Sequence, residues 1–140
     1  MINRVEIEGL DRTGKDTLMR YIDYMSNRTM VVKTRGLLST LAYAEIFERE
    51  LSTNRIEQMI NGNKDTLIIY LTADLEDWQI RMKMTDHPNI NVLLHNKVFE
   101  NWKETLIAMG IQIKEFNTTQ MTPYQIAKQI MELIDKENEV

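Results

Sequence analysis

The stretch "TLIIYLTA", residues 66–73, constrains the fold more than any other, because it is apolar nearly throughout and leaves neither face for water. A strand of this kind needs cover above and below, the habit of a parallel sheet packed between helices. Residues 2–8, "INRVEIE", residues 30–34, "MVVKT", and "IQIKEF", residues 111–116, read as three further strands. Helical periodicity fills the intervals. It runs from about Asp16 to Asn27 through Leu18, Met19, Ile22 and Met25, and again through Leu38, Leu41, Ala42, Ile46 and Phe47 before resuming at Ile56. "DLEDWQIRMKM" is helical with Asp74 as its cap, Val92 to Met109 is helical and stops at Gly110, and a last helix opens with Thr122 and Pro123. Strand and helix alternate, so the expectation is a three-layer α/β fold: a reduced parallel sheet of about four strands with helices on both sides. At 140 residues, positions 1–140 are expected to form one domain.

Composition narrows the function classes. With 43% hydrophobic and 27% charged residues the chain is of ordinary globular make-up, and only the final "DKENEV" reads as a solvated tail. The net charge of −4 and the scattered cations argue against gripping nucleic acid along its phosphates. No cysteine is present for disulfides or thiolate metal sites, no apolar run is long enough to span a bilayer, and no basic-then-apolar leader begins the chain. The simplest location is the cytoplasm.

The chemistry concentrates between the first strand and the first helix. "GLDRTGKD", Gly9 to Asp16, follows the phosphate-cradling pattern G-x-x-x-x-G-K-[ST] up to its last position. Gly9 and Gly14 let the backbone fold around phosphate oxygens, the amides at the helix start supply partial positive charge, and Lys15 supplies a full one. Asp16 stands where a hydroxyl normally helps to hold Mg²⁺. Thr17 does not replace that hydroxyl, since one step along a helix turns a side chain by about 100°. A carboxylate about 4 Å from a phosphate oxygen costs on the order of 4 kcal/mol at an effective dielectric near 20, yet it is a preferred ligand once Mg²⁺ is bound. Asp16 is therefore the candidate metal ligand, and binding of a triphosphate such as ATP is expected to depend strictly on magnesium.

These residues resemble those of a known family. "EGLDRTGKDT" is similar to the phosphate loop of thymidylate kinases, E-G-x-D-x-x-G-K-[ST]-T, and "TRGLLSTLAYAE", residues 34–45, resembles the family's D-R-[YH]-x-x-S-x-x-A-Y-Q segment with Arg35, Ser39, Ala42 and Tyr43 in register. "TLIIYLTADLEDWQIRMK" resembles the strand and helix leading to the lid, and "NTTQMTPYQIAKQI" the C-terminal base loop and last helix. The resemblance implies ATP-dependent phosphoryl transfer to a deoxynucleoside monophosphate. It implies Asp11 at the acceptor sugar, Arg12 on the transferring phosphoryl group, Arg35 on the acceptor phosphate, Ser39 beside it, and Tyr43 near the acceptor sugar or base. Arg81, at the lid, would reach the phosphates. Three positions depart from the pattern: Asp16, Thr34 in place of an acid, and Ala44 in place of Gln. Only "RTM" separates the first helix from the second strand, so the family's R-E-P-G-G segment, which lines the acceptor site, is missing. The family's dimeric habit implies a homodimer, with "LAYAEIFEREL" as candidate face, and the compact form implies a viral or mobile-element origin.

Other conspicuous residues carry plainer readings. His87 and His95 lack partners at metal-ligand spacing, Asp86 reads as a turn residue, Trp78 and Trp102 as core anchors, and the ten methionines as fillers of a small core. Two functions stand: a deoxynucleoside monophosphate kinase, or a degenerate kinase fold serving as a nucleotide sensor or partner-binding protein.

Overall fold

The structure is a computed structural model that describes residues 1–9, 14–83 and 92–139. Four strands, β1 (Arg4–Gly9), β2 (Val31–Thr34), β3 (Thr66–Thr72) and β4 (Gln112–Asn117), pair in parallel in the order β2-β1-β3-β4. Six helices connect them: α1 (Lys15–Met25), α2 (Leu37–Ile46), α3 (Thr53–Asn61), α4 (Leu75–Lys83), α5 (Val92–Ala108) and α6 (Pro123–Glu137). The four expected strands are present. Residues 66–71 of β3 are buried, as its apolar sequence requires.

Alternation along the strands sorts side chains into two apolar layers. Val5, Ile7, Leu67, Ile69 and Leu71 meet Leu18 and Ile22 of α1 and Ile126, Ala127, Ile130 and Ile134 of α6. Ile68 and Tyr70 face the other way, against Leu38, Leu41 and Ala42 of α2, Trp78 of α4, and Phe99 and Leu106 of α5. On that second face β1 contributes no hydrophobe: its outward pair is Glu6 and Glu8, only 2% and 0% exposed.

Local chemistry sets the boundaries. The periodicity that runs through Phe47 and resumes at Ile56 is two helices, because Glu48 takes a left-handed conformation (φ 53°) and Ser52 then caps α3 by accepting from the Arg55 amide. Helix α5 ends as its sequence indicates. The amide of Gly110 donates to Ile107 and that of Ile111 to Leu106, the double bond of a Schellman stop, and Leu106 and Ile111 are both buried. Thr122 and Gln125 form a reciprocal capping box at the start of α6, with Pro123 at the first position. Asp74 does precede α4, but its carboxylate accepts from Nδ2 of Asn117 (2.8 Å), the last residue of β4.

Of the stripe expected to join two copies of the chain, Leu41 and Ala42 are buried in the chain's own second layer and Phe47 is exposed. No described helix is long and apolar enough to cross a membrane.

Candidate nucleotide site

The connection after β1 runs to β2 on one side, whereas that after β3 runs to β4 on the other. Adjacent strands whose continuations diverge leave a crevice at their carboxyl ends, the usual ligand position in an open parallel sheet. Here that crevice lies between Gly9 and Thr72.

Both glycines that bound the loop have backbone angles costly for any other residue: φ is 143° at Gly9 and 87° at Gly14. Helix α1 starts directly after Gly14, an N-cap residue with no side chain to cap the first amides. Other helix starts are filled: α3 by Ser52, α6 by Thr122, and α2 by the strand carboxylates of Glu6 and Glu8. Lys15 is half-buried and its Nζ donates to the Gly9 carbonyl at 3.0 Å, closing the loop's two ends together. Asp16 and Thr17 lie exposed in the first turn. Asp11 and Arg12 lie outside the described residues, as do Asp86 and His87.

Opposite the loop stands an arm made by the end of β2 and the start of α2. Arg35 is held in a left-handed conformation (φ 70°), its amide bonded to the Ile7 carbonyl at 2.8 Å, and its guanidinium carbon lies 5.8 Å from the centre of the Tyr43 ring. Tyr43 is half-buried and stacks with Phe47 at 5.8 Å, while His95 and Phe99 meet it edge-on. Arg35 and Tyr43 are brought together, whereas Ser39, one turn before Tyr43 on α2, is turned to β1. Ser39 is 4% exposed. Its amide donates to Glu8 Oε2 (3.1 Å), and its hydroxyl donates to Glu8 Oε1 (3.3 Å) while accepting from the Gly36 amide (3.2 Å). Its polar groups are directed at the strand.

Glu6 and Glu8 are functional candidates that sequence reasoning missed. Glu6 accepts from the Leu37 amide at 3.0 Å and faces Arg4 at 3.5 Å. Gly36 packs so closely on Glu6 that a Cβ there would overlap the carboxylate. Burial pushes the Glu8 carboxyl up to about 7; the Ser39 bonds oppose that rise and the charge of Glu6 adds to it. The signal available in the sequence was the strict spacing of "VEIEG", which sends both acids to one face of the strand.

A third wall is the loop after β4. Thr118 donates both its amide and its hydroxyl to the Thr72 carbonyl, each at 2.7 Å. Arg81 lies against this loop, donating to Thr118 Oγ1 (2.9 Å), the Thr118 carbonyl (3.3 Å) and Asp77 Oδ2 (2.6 Å). Thr119 donates its hydroxyl to Asp77, and that bond, followed by Arg81, holds the Asp77 carboxyl below the usual range. To serve the transferring phosphate, Arg81 has to exchange these partners.

Sheet order, glycine loop and lysine define a reduced α/β fold of the P-loop kinase type. The chain superposes on the crystal structure of the YorR protein from Bacillus subtilis in complex with phosphorylated GDP, with a TM-score of 0.75 over 96% of each chain at 18% identity. It also superposes on thymidylate kinase from Candida albicans, with a TM-score of 0.56 over 97% of this chain and 92% of that one at 15% identity. No protein-family model matches the sequence, and no curated protein matches it.

Proposed function

We propose that the chain is a nucleotide kinase that transfers the γ-phosphoryl group of ATP to a deoxynucleoside monophosphate. The observation that carries this reading is the pair of positive-φ glycines that bound the loop, with Lys15 opening α1, at the switch point of a kinase-type sheet. Amide dipoles and one ammonium group there suit the β- and γ-phosphates. An oxygen of the acceptor phosphate attacks the γ-phosphorus, the bond to the β-phosphate oxygen breaks, and ADP leaves. Such a reaction asks for positioning and cationic compensation more than for a covalent nucleophile. Lys15 and Arg12 compensate the transferring group, Arg35 holds the acceptor phosphate, and Asp11 and Tyr43 hold its sugar or base.

Among the described residues, Mg²⁺ fits through a single carboxylate. No group of three His, Asp or Glu side chains among the described residues forms a cage, and Asp16 is a single exposed carboxylate beside Lys15. One carboxylate plus substrate phosphates is the ordinary pattern for this ion. When bound it would neutralise charge on the phosphates; orientation remains the work of Lys15, Arg35 and Tyr43.

A rival reading, a nucleotide sensor or partner-binding protein without turnover, draws on the short link of residues 26–30 between α1 and β2. A coupled assay of ATP and Mg²⁺ against the four deoxynucleoside monophosphates separates the two. Turnover that Lys15→Ala abolishes supports the kinase. ATP binding without turnover on any acceptor supports the sensor, and no turnover with no ATP binding leaves only the partner-binding reading.

A further inference from the structure

Glu8 lies immediately before the phosphate loop, and its carboxylate reaches across to the first turn of α2, where it receives two bonds from Ser39, with the Gly36 backbone also facing it. A strand carboxylate is an unusual plug for a helix start. It binds the two segments that the proposed reaction needs at a fixed separation: the loop that follows Gly9, and the arm that carries Arg35 and Tyr43. The Arg35 amide is bonded to Ile7, so residues 6–8 of β1 hold the arm at three successive points, through Leu37, Arg35 and Ser39.

We propose that Glu8 is a positioning residue for acceptor binding: through Ser39 it sets the place of Arg35 and Tyr43 relative to the phosphate loop, a role that presupposes the kinase reading for the identity of the ligand. The carboxylate touches no reacting atom in this scheme. Its ionisation matters because only the charged form accepts both Ser39 bonds at full strength. Few groups compete for it. Among the described residues, Glu6 is the charged neighbour from its own strand, with Arg4 behind it, and Ser39 of α2 and the backbone of its N-cap Gly36 face it. From β3 its partner in register is Tyr70, which burial and the nearby Glu100 and Glu115 keep neutral, with Lys103 over its ring. From β2 the turn contributes Arg35.

The test has two arms on the full chain. The first needs no ligand: amide NMR signals of Arg35, Leu37 and Ser39 are followed between pH 5 and 9 in the wild type, Glu8→Gln and Ser39→Ala. Coupled titration of all three amides near pH 7, absent in Glu8→Gln, is expected; amides that ignore pH in the wild type, or that still titrate in Glu8→Gln, overturn the proposal. The second arm measures calorimetric affinity for a deoxynucleoside monophosphate and, separately, for ATP with Mg²⁺. Glu8→Gln and Ser39→Ala should each weaken the acceptor about tenfold at pH 8, the worth of one charge-assisted hydrogen bond, with ATP affinity unchanged and the double variant no worse than either single one. The ratio of variant to wild-type affinity should approach unity at pH 6, which removes the acceptor's own titration from the comparison. Equal weakening of both ligands overturns the proposal, since it marks a general structural role. If the wild type binds no monophosphate, the kinase reading fails on its own account, and the amide arm still decides whether Glu8 holds the arm.

Discussion

Replacing Glu8 by Gln should change how stability depends on pH more than it changes stability at any one pH. In the unfolded chain this carboxyl ionises near its ordinary 4.5, whereas in the fold burial raises it to about 7. Below 4.5 both states hold the proton and the group is silent. Between 4.5 and 7 the unfolded chain releases a proton that the folded chain retains, so stability falls as pH rises, and above 7 the loss is complete. Integrated over these limits the loss is about 3 kcal/mol in all, of which about 2.5 kcal/mol accrues between pH 5 and 8. Glutamine has the same shape and no ionisation, so its slope from this site is zero. Its amide group keeps one acceptor for Ser39 and loses the other, which offsets the two curves by about 1 kcal/mol without tilting either. Urea denaturation of both proteins at several pH values from 4.5 to 8.5 reads the difference directly, because every other titrating group is common to the pair. The curves should diverge in favour of the variant as pH rises. Parallel curves would refute the reasoning, for then the Glu8 carboxyl is not excluded from water in solution.

Three further outcomes follow from the same geometry. Gly36→Ala should destabilise by about 2–4 kcal/mol in urea titrations, because its Cβ displaces the Glu6 carboxylate and breaks the bond to the Leu37 amide; a change under about 0.5 kcal/mol contradicts the close approach. Asp16→Asn should strengthen ATP binding without Mg²⁺ and shrink the gain on adding it, up to a repulsion of about 4 kcal/mol; an unaltered magnesium dependence, measured by calorimetry, removes Asp16 from the metal site. Arg81→Ala should raise the Asp77 carboxyl while leaving it below the ordinary range, since the Thr119 hydroxyl still donates to it; carbon NMR of the Asp77 carboxyl that does not move contradicts the ion pair.

Much of the architecture was legible because it rests on local signals. The apolar run of β3, the Thr122-Pro123 start of α6 and the stop at Gly110 each act over a few residues, and the structure honours all three. Gly9, Gly14 and Lys15 were legible for the same reason. What escaped depends on contacts between distant segments. Nothing near "VEIE" says that its acids are buried, since only the arrival of α2 about thirty residues later supplies the amides that make burial tolerable. The bonds of Ser39 to Glu8 were equally out of sight, because a place on α2 one turn before Tyr43 does not reveal which neighbour the hydroxyl meets. Asp74 likewise stands where a cap belongs, yet the end of β4 offers its carboxylate an amide donor that the local sequence cannot disclose.

The contact between Gly36 and Glu6 ties the histories of two positions. A larger residue at 36 fits only after position 6 has given up its carboxylate, and a carboxylate returns to position 6 only while 36 stays bare. Descendants of this chain should therefore change the two in step or not at all, and a lone substitution at either place should be rare among them.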